Sequence, residues 1–443
     1  MEIQISKKFT LPGLLRFSIP AIVMLILSSV YTTVDGIFVS RFVGSDALSA
    51  LNIVLPLEYF VYGVAVMFAS GGTAVIGRKL GEGKLEEAKD NFTLITLAAV
   101  CLGILLTLTV QLGFTSIVRM LGASDRLLPL CGAYGSVLFA FIVLHIVQVM
   151  YNTFFVTAGK PTLALSVTVI CGLMNICLDY LFIVVFRMGI AGAAWGTVIS
   201  RAFGGIFPLV YFLADRKGLC YVRPHMDVPM LLRSMANGSS EMVANLAMAV
   251  TTFLFNVSMM RMAGEDGVAA VSIILYAQYI FTAIFFGFST GAAPVISYNY
   301  GSGDTGYLKK LFRYCVWIIG GSTLLMIGTV LLTAQPLIAV FAEKGSSVYV
   351  LTYHGYLIFI WNFVFAGYNI FASALFSAFS NGLVSAVISF LRTLVFIVIA
   401  VLTLPIFWGI DGLWLAVPIA EALTFAVAVF CLIRYGKHTY HYL

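Results

Sequence analysis

The sequence predicts an all-α membrane protein, with twelve transmembrane helices laid out as two parallel six-helix repeats around a central cavity. Three observations predict it. Of 443 residues, 61% are apolar and 10% charged, where a soluble domain carries about a quarter charged residues. Turn signals cut the chain into apolar runs long enough to cross a bilayer, which takes about 20 residues. The chain also resembles itself when shifted by 220 residues.

The composition excludes most other classes. Forty-four charged residues cannot cover the polar surfaces of the two or three soluble domains that this length otherwise implies. Soluble enzymes, nucleic-acid binders and disordered scaffolds are therefore ruled out. The net charge of +6 does not point to nucleic acid, because the basic residues sit in short loops between apolar runs. Seven cysteines show no Cys-x-x-Cys spacing and only Cys220 falls in a loop, so they read as small buried hydrophobes. Met1–Thr10 is polar and runs straight into a long span, which predicts no cleavable signal peptide.

The spans are expected near 14–40, 48–76, 92–118, 129–158, 163–186, 190–214, 237–262, 268–298, 312–340, 350–379, 384–408 and 411–433. The longest polar stretch, 215–235, falls at the midpoint and reads as a cytoplasmic linker between an N-lobe (1–214, spans 1–6) and a C-lobe (236–443, spans 7–12). Seventeen Lys and Arg fall on the side of the N-terminus, including Lys7, Lys79, Arg216, Lys217, Lys309, Lys310 and Arg313. Six fall on the opposite side, and Arg201 and Arg392 lie inside spans. The positive-inside rule then puts both termini in the cytoplasm.

The 220-residue shift superimposes spans 1–2 on spans 7–8 without a gap. Arg41 meets Arg261, Gly44 meets Gly264, Tyr59 meets Tyr279, and Gly71 meets Gly291. Gly81 and Gly83 meet Gly301 and Gly303, and Lys89 meets Lys309. One offset held over this length is duplication. Because each half has six spans and starts on the same side, the repeats are parallel. Parallel halves rocking about a central cavity are a common secondary-transporter design. No Gly-x-x-x-x-Gly-Lys-Ser/Thr loop is present for an ATP-driven pump.

Acidic residues inside spans are costly and mark functional positions. Asp35, Glu58, Asp179 and Glu421 lie well inside; Glu241 lies nearer an edge, and Asp411 sits at a helix start as an N-cap. Counted from the ends of spans 1, 5 and 6, Asp35, Asp179 and Thr197 all sit roughly 8–11 Å below one boundary. Asn175 is one turn from Asp179 on the same face. Two carboxylates, an amide oxygen and a hydroxyl at one depth suit a hard-oxygen cation cage. They equally suit a proton-exchanging pair, since close carboxylates raise one pKa, or unrelated helix-packing hydrogen bonds. Glu58 and Arg201 share a depth that suits a buried ion pair, and Glu241 and Arg392 are expected to pair likewise. Glu421 has no expected partner. His145 stands alone in span 4 as a hydrogen-bonded core residue. No His, Ser or Cys constellation suggests an enzyme.

These residues resemble a known family. Tyr31-Thr-Thr-Val-Asp35-Gly-Ile-Phe-Val-Ser with the earlier Pro20, Asn175-Ile-Cys-Leu-Asp179 followed by Thr197, and Ala158-Gly159-Lys160-Pro161 after Tyr151-Asn152 resemble MATE (multidrug and toxic compound extrusion) transporters, nearest their MepA-like bacterial branch. The resemblance covers essentially the whole chain. It implies V-shaped halves in a bacterial plasma membrane, with antiport of organic cations or other amphipathic drugs against Na⁺ or H⁺. No cofactor, nucleic acid or obligate protein partner is implied beyond that ion, the small-molecule substrates and the lipid bilayer. The family's N-lobe cation site matches Asp35, Asn175, Asp179 and Thr197. Tyr31, Tyr134 and Asn152 match further cavity positions, and Pro20 matches the proline where the first helix bends.

The C-lobe departs from part of the family. Glu241 is expected a turn or two too early in span 7, span 10 holds no acid, and Phe255 stands where the shift would place a second Asp35. Uncharged aromatic surface is expected there instead, from Tyr276, Gln278, Tyr279, Trp361 and Asn362, which suits organic cations through cation–π attraction. The neutral oxygens of Asn175 and Thr197 favour Na⁺ over H⁺. A lipid-linked saccharide or lipid flippase of the same superfamily is the alternative.

Overall fold

The computed structural model describes residues 7–121, 123–215, 218–440 and 442. Arg216 and Lys217, counted above with the N-terminal side, lie outside the described residues, and so does the side chain of Tyr276.

Twelve helices cross the molecule. In the N-lobe, α1 is Leu11–Phe38, α2 Ser45–Gly81 and α3 Leu85–Met120. Helix α4 is bent by 55° between Leu128–Ala140 and Ile142–Thr157; α5 is Pro161–Asp179 and α6 Ile190–Ala214. In the C-lobe, α7 is Val228–Gly264, α8 Asp266–Ser302 and α9 Thr305–Phe341. Helix α10 joins Ser347–Phe359 to Phe363–Ala378, α11 runs over 382–409 and α12 over 410–438. Among the described residues ten helices are long and apolar enough to span, and the bent α4 pair supplies an eleventh. The twelfth appears because Gly409 breaks the 56-residue run Gly382–Lys437.

The duplication reaches further than spans 1–2. Gly44 and Gly264 turn α1 into α2 and α7 into α8, with φ of 122° and 64°. Gly189 and Gly409, also 220 residues apart, turn α5 into α6 and α11 into α12, with φ of 62° and 56°. Such φ values favour a residue without Cβ. Several helices exceed the expected spans. The N-cap side chain of Asp227 accepts from the Met230 N–H at 2.9 Å, so α7 starts inside the stretch expected as linker. Large apolar side chains such as Leu112, Leu332 and Ile406 are exposed around the outside, as a bilayer-facing surface requires. All seven cysteines are free, and Cys101 and Cys177 are exposed on that surface instead of buried as expected.

The halves seal against each other at the end that carries the termini. A Cβ added to Gly81 would fall 1.9 Å from the Tyr298 carbonyl oxygen, and one on Gly301 would fall 2.1 Å from that of Arg78. The same exchange recurs a few turns deeper, with Gly71 against the Ser234 carbonyl and Gly238 against that of Met67, both at 2.0 Å. On the other seam, Gly291 and Gly287 of α8 close on the backbone of Ser18 and Ile22, on either side of Pro20. Further along α2 the approach is longer: a Cβ on Gly63 would fall 3.2 Å from the Met242 side chain and 3.4 Å from its carbonyl oxygen. One turn on, Tyr59 and its repeat partner Tyr279 are 45% and 52% exposed. The tightest backbone approaches between the halves therefore lie at the end that carries the termini.

Candidate functional site

The N-lobe acids stand where two helices change winding. Just past Asp35, α1 gives way to a wide π turn at Val39–Val43; at Asp179, α5 gives way to another at Tyr180–Val185. Such turns occur frequently at functional sites. The two carboxyls lie against one another. Among the described residues neither has an ion-pair partner. Asp35 Oδ1 and both oxygens of Asp179 are buried without a hydrogen bond. Gly196 of α6 makes room for them, since a Cβ there would fall 2.5 Å from Asp179 Oδ1. Its neighbour Thr197 accepts at Oγ1 from Asn175 Nδ2 at 3.4 Å. Asp35, Asn175, Asp179 and Thr197 thus form one cluster from α1, α5 and α6.

Glu58 and Arg201 form the ion pair their shared depth suggested. His145 is not alone: its Nδ1 lies 3.2 Å from Glu58 Oε1. Its solitude in the sequence was an effect of reading one span at a time. Tyr134 is buried within electrostatic range of Asp35, Glu58, Asp179 and Arg201. Arg201, the cation nearest the aspartates, is already committed to Glu58.

On the central side, Tyr31 packs against Gly172, whose added Cβ would fall 3.2 Å from the ring. Tyr31 and Tyr62 lie within electrostatic range of Tyr279 across the lobe boundary, and Tyr62 also lies within electrostatic range of Glu241. Tyr62 was missed by the sequence reading, although the Tyr59-x-x-Tyr62 spacing places two phenols one turn apart. Asn152 has a buried Oδ1 without a partner. Gln278 is half-buried on α8, 220 residues on from Glu58. Pro20 is buried within α1, where its missing N–H leaves the Arg16 carbonyl without its helical partner.

The C-lobe corrects five expectations. Arg392 does not pair with Glu241; it pairs with Glu421, Nη2 to Oε1 at 2.8 Å and Nε to Oε1 at 2.8 Å. Glu421 is therefore not without a partner, and Asn369 Nδ2 also donates to its Oε2 at 2.7 Å. Asp411 is not shown as a helix cap: its carboxylate meets His354 Nε2 at 2.8 Å. Glu241 does not sit at the start of its helix, because α7 begins at Val228. Its carboxylate is half-buried, in electrostatic range of Arg392 and Tyr62, and makes no ion pair among the described residues. Asn362 is packed into the C-lobe core with Nδ2 donating to the Phe359 carbonyl at 2.5 Å, while its neighbour Trp361 is exposed.

A family model described as MatE matches residues 20–181 and 242–402, one stretch in each half. The chain belongs to the MatE family. It is a multi-pass membrane transporter of the MepA-like kind. It is 25% identical over 351 residues to the multidrug export protein MepA of Staphylococcus saprophyticus, covering 78% of this chain and 77% of that one. Its fold matches an outward-facing multidrug resistance MATE transporter of the MOP superfamily, with a TM-score of 0.90, 22% identity and 98% of each chain covered. It also matches a variant of the Vibrio cholerae MATE transporter VcmN, with a TM-score of 0.91, 19% identity and 100% of each chain covered. The twelve helices in two parallel six-helix halves are the layout of these MATE structures.

Proposed function

We propose that the protein is a cation-coupled antiporter that exports organic cations and other amphipathic drugs by alternating access. The observation that carries this reading is the facing pair Asp35 and Asp179, three of whose carboxyl oxygens are buried without a hydrogen bond, with no cationic partner among the described residues. Charges buried away from water need a counter-charge or a proton. Arg201 cancels Glu58, which leaves the aspartates to a mobile cation. Asn175 donates to Thr197 through Nδ2, so its amide oxygen remains for such a cation, and this supports Na⁺ over H⁺. The names of the MepA relatives support drugs as the cargo.

The excess of basic residues beside the termini supports a cytoplasmic placing of both ends. The close-packed end then faces the cytoplasm, and Tyr31, Tyr62 and Tyr279, which lie beyond it, are the candidates to line a cavity that opens outward. Cation entry at the aspartates and drug binding favour opposite-facing states, and each ligand shifts the equilibrium only by its differential affinity for the two. Pro20 is the point at which α1 yields, between its two contacts with α8. No cofactor other than the coupling ion takes part.

The test is efflux of ethidium from proteoliposomes, under a Na⁺ gradient at clamped pH and under a pH gradient without Na⁺, for the wild type and Asp35→Asn. Efflux under one gradient that the variant abolishes is the expected result and names the ion. Equal efflux by the variant would remove the aspartates from the mechanism. No efflux under either gradient would favour a flippase.

A further inference from the structure

The opening turns of α9 carry a basic, aromatic stripe that the transport reading does not use. Lys309, Lys310, Arg313, Tyr314 and Trp317 line a groove of about 640 Å³, closed on one side by Leu11 at the start of α1. Among the described residues none of the three cations has an ion-pair partner. The nearest acid in sequence, Asp304, is already occupied: Lys8 Nζ lies 2.7 Å from its Oδ2, and the Tyr307 N–H donates to its Oδ1 at 2.9 Å. Together they hold that carboxyl below its usual range. Three other cations at this end are answered: Lys79 by Glu87 at 2.5 Å, Lys89 by Glu86 at 2.7 Å and Lys160 by Asp215 at 2.7 Å.

Every seventh residue of a helix returns to nearly the same face. Lys310, Trp317, Leu324 and Leu331 therefore share one stripe, and all are exposed, Trp317 at 71% and Leu324 at 74%. From the ammonium to Leu324 is roughly 20 Å along the helix. The order along the stripe is cation, amphipathic ring, aliphatic surface, and it matches a phospholipid from phosphate through the interface to the acyl chains. Aromatic rings such as Trp317 sit at headgroup level. A free phosphate would use the cations but leave the apolar continuation without an occupant.

We propose that this groove binds an anionic phospholipid, its phosphate held by Lys309, Lys310 and Arg313 and its chains laid along Trp317 and the leucines beyond. Each basic residue near an anionic headgroup is worth roughly a fivefold gain in binding, so three set a clear preference over a zwitterionic lipid.

The full chain in detergent is titrated with phosphatidylglycerol, phosphatidylcholine or inorganic phosphate while its thermal unfolding is followed. Phosphatidylglycerol is expected to raise the midpoint of the wild type and phosphatidylcholine to leave it unchanged. The variant Lys309→Gln/Lys310→Gln/Arg313→Gln should need at least tenfold more phosphatidylglycerol for the same rise. A second variant, Arg434→Gln/Lys437→Gln, removes two cations from the same end and should respond as the wild type does. Equal responses of the wild type and the triple variant overturn the proposal. An equal loss in both variants overturns it as well, since the effect is then general charge. A rise produced by millimolar inorganic phosphate alone overturns it in favour of a phosphate site.

Discussion

In the N-lobe, Arg201 of α6 meets Glu58 of α2; 220 residues on from Arg201, α12 carries Glu421, which meets Arg392 of α11. The repeat kept a buried ion pair at this level while the charge at the shared position reversed and the partner moved to another helix. What differs is the remainder. The C-lobe pair is self-contained, with Asn369 occupying a further oxygen of Glu421. The N-lobe has two more carboxyls, Asp35 and Asp179, with no ion-pair partner among the described residues. All three π turns lie beside these groups: two next to the aspartates and the third, Leu391–Val395, carrying Arg392. The lobes also begin their helices differently. Asp227, Asp304, Ser346 and Asn381 cap C-lobe helices with side-chain hydrogen bonds; in the N-lobe Thr10 caps α1, accepting from the Gly13 N–H at 3.3 Å, while α2 to α6 start without such a cap. Glu241 is the one C-lobe acid in a comparable condition, half-buried and without an ion pair among the described residues, so the contrast between the lobes lies in the facing pair of the N-lobe.

The sharpest way to break this comparison is to remove one charge from each lobe. Arg392→Met leaves Glu421, 3% exposed, without its cation and should destabilise the protein by about 3–5 kcal/mol. Asp179→Asn removes a carboxylate that has no partner and should cost no stability, while abolishing gradient-driven efflux. Thermal unfolding in detergent, paired with liposome efflux, measures both. Comparable destabilisation by the two variants would mean that Asp179 has a counter-charge after all.

A smaller effect tests whether the halves contribute equally to the seal. Gly81→Ala and Gly301→Ala each drive a methyl into a carbonyl of the other half, and such overpacking costs about 1–3 kcal/mol. Both should bias the protein toward opening at the terminal end. Spin labels at positions 84 and 305 should move apart to the same extent in each variant. Movement in one variant alone would show that the two sides of the seal are not equivalent.

The smallest expected effect concerns one turn. Gly159 ends α4 with φ of 77°, whereas the corresponding turn after α10 uses Ser380 with φ of 59°. A residue with a side chain pays roughly 1–2 kcal/mol in that region. Ser380→Gly should raise the unfolding free energy by about 1 kcal/mol, read from the thermal midpoint, and leave efflux unchanged.

Much of the molecule was legible in the chain alone. Membrane residence follows from composition, because 10% charge cannot solvate this surface. The twofold plan follows from one offset, and the glycine turns at Gly44, Gly189, Gly264 and Gly409 keep that offset to the last helix. Asp35, Asn175, Asp179 and Thr197 could be gathered before any fold was known, because depth in a spanning helix is a linear function of position. What depth leaves undetermined is azimuth, the direction a side chain faces around its helix. Glu241, Arg392 and Glu421 share the C-lobe interior, and only the packing of α11 against α12 decided that Arg392 turns to Glu421. The same holds for His145 beside Glu58 and for Asn362 in the core while Trp361 is exposed. One-dimensional spacing orders residues along the membrane normal; which of two equidistant charges is met depends on helix rotation, and neighbouring helices set that.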